Sequence, residues 1–164
     1  MLLARIVQGK RAGYCIIAAL FFLCWISPAE PEDDLSTGQT VYVPVYANVF
    51  VGSKSHSFML SALLSIRNTD PKFPLTVMAV DYYDSNGKMV RSYIKEPLEL
   101  KPLASTHYYI PDTEKSAGPG AKFIVKWQSI RMINRPIIEA LMIGSRSGQG
   151  ISFTSPGREI NEYP

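Results

Sequence analysis

Residues 75–94 have the sequence LTVMAVDYYDSNGKMVRSYI, which predicts two β-strands joined by a tight turn. Val77, Val80 and the two following tyrosines are strand-forming residues, and residues 89–94 again alternate between bulky and polar side chains. Between them, Asn86 and Gly87 tolerate positive φ, as a type I′ turn or a type I turn with a glycine bulge requires. The two turns differ in strand register, and the sequence is compatible with either.

The clearest alternation in the chain precedes this hairpin, at residues 58–67. Every second residue is apolar, which predicts a strand with one face on the core. The residues expected in the core are Phe58, Leu60, Ala62, Leu64 and Ile66. The residues expected on the opposite face are Met59, Ser61, Leu63, Ser65 and Arg67.

Short extended segments, punctuated by Pro, Gly, Asn and Asp, account for most of the remaining chain. They are residues 41–49, 98–100, 105–110, 122–129, 137–143 and 151–154. Pro44 cannot donate a ladder hydrogen bond, so the first segment is expected at a sheet edge or where a strand changes sheets. Leu103 and Ala104 are expected to cross between sheets, and residues 137–143 are expected to form a central strand.

About seven or eight short strands with regular turn signals predict an all-β fold. We expect an antiparallel sandwich of the immunoglobulin or fibronectin type, with a small β-barrel as the alternative. A single domain is expected at residues 40–158, preceded by a flexible polar leader at 30–39 and followed by a polar tail at 159–164.

The first 29 residues have the pattern of a secretory signal peptide. A basic segment precedes an apolar run at residues 14–26, and Ser27 and Ala29 are small residues of the kind a signal peptidase recognises. The run is shorter than the ~20 residues that a membrane-spanning helix needs. We therefore expect export to the periplasm or the extracellular space, with a membrane tether by an uncleaved signal as the alternative.

Removing residues 1–29 changes both the charge and the cysteine content. The full chain has 17 basic and 14 acidic residues; losing Arg5, Lys10 and Arg11 leaves 14 of each. With no basic excess, neither nucleic acid nor an anionic membrane is an expected partner, and no stable membrane span is expected after cleavage. Cys15 and Cys24 are removed as well, which excludes disulfides and thiolate chemistry from the mature chain.

Two polar loops resemble ligand-binding loops only in part. Residues 84–87, DSNG, begin like a calcium loop, but the glycine comes too early and the closing glutamate is absent. Residues 144–150, GSRSGQG, could cradle an anion, but phosphate loops lead into a helix and this one leads into the strand pattern at 151–154. Both are therefore interpreted as turns, and no cofactor is predicted.

Histidine and methionine are the remaining candidates for a metal carrier. His56 and His107 lack a second ligand at local spacing, and the methionines form no cluster. The methionines outside the signal are Met59, Met78, Met89, Met132 and Met142. Core filling explains the methionines more simply, so no metal site is predicted.

The sequence contains no catalytic motif: the G-x-S-x-G elbow is absent, and the acidic residues are isolated in turns. A carboxylate pair formed only by the fold stays open as a hydrolase alternative. A binding surface is the more informative hypothesis, because tyrosines and polar strand ends are common at recognition sites. The candidate surface residues are Arg67, Asn68, Asp70, Tyr108, Tyr109 and Arg146. The first three are also expected in capping and turn roles.

Four spaced motifs carry a resemblance to a known family. They are VYVPVY at residues 41–46, LSIRNTD at 64–70, VDYYDSNGK at 80–88 and QGISFTS at 149–155. Over residues 40–158 the chain resembles domain-of-unknown-function family 3124, a bacterial family of small exported proteins. The resemblance implies a single exported domain, and it assigns neither an activity nor a ligand residue.

These observations favour a non-catalytic exported module that binds a protein or glycan of the periplasm or cell envelope. A carrier of a small ligand or metal is the first alternative, and a hydrolase is the second. A co-purifying ligand would identify a carrier, and two carboxylates in one cleft would indicate a hydrolase.

Overall fold

The computed structural model describes residues 35–52, 56–114, 116–146 and 148–161. The predicted signal peptide lies outside these residues. Within the described ranges, no helix has the length and hydrophobicity to cross a membrane. The strands are β1 (Leu35–Val45), β2 (Asn48–Val51), β3 (His56–Met59), β4 (Ser61–Arg67), β5 (Leu75–Tyr83), β6 (Met89–Ser92), β7 (Leu98–Leu100), β8 (Ser105–Ile110), β9 (Ala121–Asn134), β10 (Ile137–Arg146), β11 (Gln149–Pro156) and β12 (Arg158–Ile160).

The strands form antiparallel sheets that do not close into a barrel. One sheet has the order β12-β1-β9-β5-β6, with β7 also paired to β5; a second has the order β11-β10-β4-β8; and β2 pairs with β3. The predicted all-β antiparallel sandwich is confirmed, and the barrel alternative is wrong. The described residues form twelve strands, more than the seven or eight predicted. The sequence did not indicate pieces of three or four residues, such as β2 and β12, because they are too short to show an alternating pattern.

Residues from both larger sheets share one hydrophobic core. Leu64 and Met142 of the four-stranded sheet are buried together with Val43, Val77 and Phe123 of the six-stranded sheet. All five residues predicted to face the core from positions 58–66 are buried. Burying one such side chain contributes roughly 1.5–3 kcal/mol, so this shared core is the main source of stability. It lies within one compact unit, Asp34–Pro164.

The central hairpin has the type I turn with a glycine bulge. Gly87 has a φ of 81°, whereas Asn86 is not among the residues with positive φ. The Gly87 amide donates to the Asp84 carbonyl at 3.1 Å, and the Asp84 amide donates to the Lys88 carbonyl at 2.9 Å. A type I′ turn would need positive φ at both central residues, so the backbone selects the other of the two predicted registers.

Both predicted ends of the domain need correction. Residues 35–39, expected in a flexible leader, begin β1 and pair with β9. Residues 158–160, which include the start of the expected polar tail, form β12 and pair with 40–42 of β1. These segments are exposed or half-buried, so they lack an apolar pattern, and backbone pairing alone places them in the sheet.

The crossing between the two larger sheets lies where it was predicted. β7 pairs with β5 and β8 pairs with β4, so the chain changes sheets through Leu103 and Ala104. β12 pairs only with residues 40–42 of β1, so at Pro44 the side of β1 away from β9 is a sheet edge, as expected. β10 lies between β11 and β4, which confirms the central position predicted for residues 137–143.

Candidate functional site

The outer face of the four-stranded sheet carries the candidate binding surface. Successive residues of each strand point to opposite faces. Every second residue of β4, and of β10 up to Met142, is buried and faces the core, so the residues between them face outward. We call the outward residues of β4, β8, β10 and β11 the outer face.

An apolar row crosses the outer face. The strand registers place Leu141 of β10 beside Leu63 of β4, and Leu63 beside Tyr109 of β8. Neighbouring strands are about 4.8 Å apart, so these side chains are in contact range of one another. Tyr109 is 56 % exposed, and Ile143, on the next row of β10, is 47 % exposed. The row therefore presents apolar surface to solvent.

A polar row runs beside the apolar row. Glu139 of β10 lies opposite Ser65 of β4, and Ser65 lies opposite His107 of β8. The exposed Arg67 donates from Nε to the Ser65 hydroxyl oxygen at 3.0 Å. The outer face thus combines an apolar centre with flanking groups that can donate and accept hydrogen bonds, as protein interfaces do.

The two consecutive tyrosines of β8 lie on opposite faces of their strand, as predicted. Tyr109 belongs to the outer face, whereas Tyr108 points inward and is half-buried. The Tyr108 ring packs against Tyr93, with a centroid distance of 5.3 Å and an interplanar angle of 67°. Burial raises the pKa of the Tyr108 hydroxyl. Tyr108 is therefore a packing residue, and Tyr109 remains a candidate for binding.

Asn68 is buried and belongs to the interior rather than to a surface. Its Nδ2 lies within hydrogen-bond distance of three backbone carbonyls, those of Phe73 (2.9 Å), Leu100 (3.2 Å) and Lys101 (3.0 Å). Its Oδ1 accepts from the Asp70 amide at 3.0 Å. This side chain therefore joins the end of β4 to the end of β7.

Asp70 is also buried, and both of its carboxylate oxygens have partners within the protein. Oδ1 accepts from the amides of Lys72 and Phe73, and Oδ2 accepts from Asn134. The amide hydrogen bonds from Lys72 and Phe73, in that order, lower the pKa of the Asp70 carboxyl. The candidate surface must be corrected: Asn68 and Asp70 have the capping and turn roles that the sequence also predicted.

The remaining two candidates, Arg67 and Arg146, lie far apart. Arg67 pairs with Ile137 at the start of β10, whereas Arg146 ends that strand and pairs with Gln149 across the hairpin. Nine residue steps along β10 separate Arg146 from the partner of Arg67, roughly 30 Å. Arg146 instead lines a small concave region with Met59 and other residues. The six candidates therefore do not form one site.

The two histidines lie in different sheets, with His56 in β3 and His107 in β8. Among the described residues, no group of three or more His, Cys, Asp or Glu could hold a metal ion. The prediction that the methionines fill the core is confirmed for Met142, which is fully buried. It is wrong for Met78, Met89 and Met132, which are 39 %, 48 % and 57 % exposed.

Four concave regions of the described surface each contain one carboxylate. Glu159 lines two of them, Glu99 lines a third and Asp112 lines the fourth. These concavities therefore do not hold the paired carboxylates that would indicate a glycoside hydrolase.

The sequence pattern alone does not identify Leu63, Leu141 and Ile143 as residues of a binding surface. The alternation at residues 58–67 predicts Leu63 on the strand face opposite the core, and the mostly apolar run at 137–143 predicts a central strand. The available signal was an apolar residue on both faces of these strands, which the core alone does not require. Only the register places Leu63 and Leu141 next to each other and beside Tyr109.

The strands and both rows of the outer face lie in a region shared with a protein family. The family described as "Protein of unknown function (DUF3124)" matches residues 38–160. The chain belongs to this family. The resemblance inferred from the four motifs is therefore confirmed, and the family adds no activity.

Among solved structures, the chain is similar to the protein of "Crystal Structure of Thermotoga maritima 1070". The two share 12 % sequence identity with a TM-score of 0.42, over 73 % of this chain and 92 % of that chain. No curated protein matches the chain.

Proposed function

We propose that this family member is an exported, non-catalytic module that binds a protein of the cell envelope through the outer face. The apolar row of Leu141, Leu63 and Tyr109 carries the proposal. Contiguous apolar patches on the surface of a soluble domain often mark interaction sites, and tyrosine is enriched in the centres of protein interfaces.

The shape and composition of the outer face favour a protein over a glycan. Glycan sites usually combine aromatic rings with carboxylates or amides in a groove. The outer face is an open sheet surface on which Tyr109 is the one aromatic side chain among the outward residues of β4, β8 and β10. β8 is also an edge strand, so its unpaired side lies beside the patch.

The export part of the proposal is supported by the sequence of residues 1–29. A basic segment, an apolar run and small residues precede the folded unit, which begins at Asp34. Mass spectrometry of the protein from the envelope fraction tests this directly. A mature N-terminus near residue 30 is expected, and an intact chain recovered from the cytoplasm would contradict export.

A photocrosslinking amino acid placed at position 109 tests the proposed partner surface in living cells. We expect one discrete adduct with an envelope protein, and its yield should fall when Leu63→Ser and Leu141→Ser are combined. The matched control carries the crosslinker at Tyr46, which is 41 % exposed and lies outside the outer face. Equal adducts from positions 46 and 109 would reject the outer face as the binding site.

Native mass spectrometry of residues 30–164 separates the rival functions. If the chain carries no extra mass but forms a complex when mixed with the envelope protein identified by crosslinking, the result supports a binding module. A constant extra mass would instead support a small-ligand carrier. If the wild type binds a glycan array and Tyr109→Ser abolishes that binding, the ligand of the outer face is a glycan rather than a protein.

A further inference from the structure

Three segments meet at one end of the sandwich, and Asp70 connects them. The Asp70 carbonyl accepts from the Leu103 amide at 3.2 Å, and its carboxylate accepts from the Asn134 amide at 3.2 Å. Loops held by buried hydrogen bonds present their outer side chains in a fixed arrangement. The segments are residues 68–74, 101–104 and 128–134, and we call them the loop end.

Large apolar side chains of the loop end extend into solvent. Ile130 is fully exposed, Leu103 is 70 % exposed and Met132 is 57 % exposed. Ile130 and Met132 lie where β9 loses its register with β1. Ser36 pairs with Ile133 and Gly38 pairs with Gln128, so residues 129–132 bulge opposite Thr37 alone. This bulge moves two apolar side chains away from the core.

Leu103 adopts an unfavourable backbone conformation. Its φ of 58° lies in the left-handed region, which crowds the Cβ of any residue with a side chain. Hydrogen bonds fix this turn, because Leu103 donates to the Asp70 carbonyl and Ala104 donates to the Lys101 carbonyl at 3.0 Å. Glycine would fit the backbone better, so an exposed leucine here indicates a use for the side chain.

Exposed cations lie on the same three segments as these apolar side chains. Lys72, Lys101 and Arg131 are exposed on the three segments, and the Arg131 guanidinium lies 5.2 Å from the centre of the Phe73 ring. The Asp70 carboxylate is buried, and the exposed Glu99 lies at the border. The mature chain is neutral overall, but the fold gathers a local positive excess that the sequence alone did not show.

The chain also enters the folded unit at the loop end. Leu35, the first residue of β1, pairs with Asn134. Residues 27–34 connect Leu35 to the apolar run at 14–26, and eight residues reach at most about 28 Å when fully extended. The segment that carries the predicted signal therefore joins the folded unit at the loop end.

We propose that the loop end docks onto an anionic lipid surface. Leu103, Ile130 and Met132 enter the boundary between headgroups and acyl chains, and Lys72, Lys101 and Arg131 lie at the level of the lipid phosphates. This surface shares no residue with the outer face, so a single molecule can contact the membrane and a protein partner together.

Flotation with lipid vesicles tests the proposal on residues 30–164, which contain the whole compact unit and its core. The probes are vesicles of phosphatidylcholine alone and of equal parts phosphatidylcholine and phosphatidylglycerol. We expect binding to the second kind only, weakened by added salt. Combining Ile130→Ser with Met132→Ser should weaken binding roughly tenfold, as should combining Lys72→Gln with Lys101→Gln.

Two further variants separate membrane contact from folding. Leu103→Gly removes an inserting side chain while relieving the backbone, so binding should fall without a loss of thermal stability. Phe50→Ser removes a side chain of β2 that is 65 % exposed and lies beyond the other end of β1, and binding of this variant should match the wild type. No flotation with phosphatidylglycerol, unchanged binding by the loop-end variants, or equal loss in Phe50→Ser would each overturn the proposal.

Discussion

Asn134 donates two hydrogen bonds to one oxygen of Asp70, from its backbone amide at 3.2 Å and from Nδ2 at 3.3 Å. The other oxygen accepts from the amides of Lys72 and Phe73, at 2.8 and 2.9 Å. One carboxylate thus fixes the loop after β4 and the last residue of β9. This arrangement makes the stability of the domain depend on the charge state of Asp70.

Acid should destabilise the domain by protonating the Asp70 carboxylate. The pKa of Asp70 is lowered in the folded protein from 3.8, so its stabilisation is present above that pH and is lost as the pH falls through the folded value. Asp70→Asn should be less stable than the wild type at neutral pH, and the difference should shrink as the pH falls below 3.8. Urea unfolding across this range measures it. A difference independent of pH would contradict the assignment, and Asp112→Asn, at an exposed carboxylate, serves as the control.

Asn68→Ala should destabilise the domain by about 2–4 kcal/mol, because it leaves buried carbonyls of Phe73, Leu100 and Lys101 without their donor. The control is Thr69→Val at the neighbouring position, which removes a single hydrogen bond to the Arg135 carbonyl at 2.8 Å. Its cost should be about 1 kcal/mol. Equal costs in chemical denaturation would show that Asn68 has no special bracing role.

Tyr82→Phe should leave stability unchanged or raise it by up to about 1 kcal/mol. The Tyr82 hydroxyl is buried and has no hydrogen-bond partner among the described residues. Burial, with smaller effects from Tyr93 and Glu114, raises the pKa of this group far above 10.0. Since the folded pKa is raised, the wild type should lose stability as the pH rises past 10.0, and Tyr82→Phe should lose less. Thermal melts at neutral and alkaline pH provide the test; a cost of several kcal/mol at neutral pH would reveal a hidden partner.

Gly87→Ala should cost about 1–2 kcal/mol, because Gly87 has a φ of 81° in the hairpin turn. Open space surrounds its Cβ position, so the cost comes from the backbone rather than from a clash. Gly150→Ala is the matched control, with room for a methyl group and no positive φ, and should be nearly neutral. Asn86→Gly distinguishes the turn types: it should destabilise slightly here, whereas stabilisation would indicate a type I′ turn.

Alternation predicted the parts of the fold whose strands have one face in the core. The β5–β6 hairpin, the core residues of 58–66 and the crossing at Leu103 follow from side-chain pattern and turn chemistry, which depend on local sequence. β12 and the first residues of β1 follow from backbone pairing between distant segments. That pairing leaves little trace in the side chains, so the sequence predicted a leader and a tail instead.

The candidate surfaces were harder to predict for a related reason. Tyr109 was identified because it adjoins Tyr108 and strand geometry forces the two apart. Its neighbours Leu63 and Leu141 are distant in sequence and meet only through the register of three strands. Asn68 and Asp70 look like surface residues by type, but burial and their hydrogen bonds place them inside. Ile130 became exposed through a bulge, which alternation does not encode.

The pairing of β1 with β9 and β12 has a consequence for the time course of folding. Both neighbours of the first described strand come from the second half of the chain, and β12 is the last strand of the described residues. A chain that emerges N-terminus first, from a ribosome or a translocation channel, therefore has no partner for β1 until residue 121 has passed. Contacts this distant in sequence slow folding. β1 should therefore stay unpaired for most of the passage of the chain, and the larger sheet should be complete only after β12 has emerged.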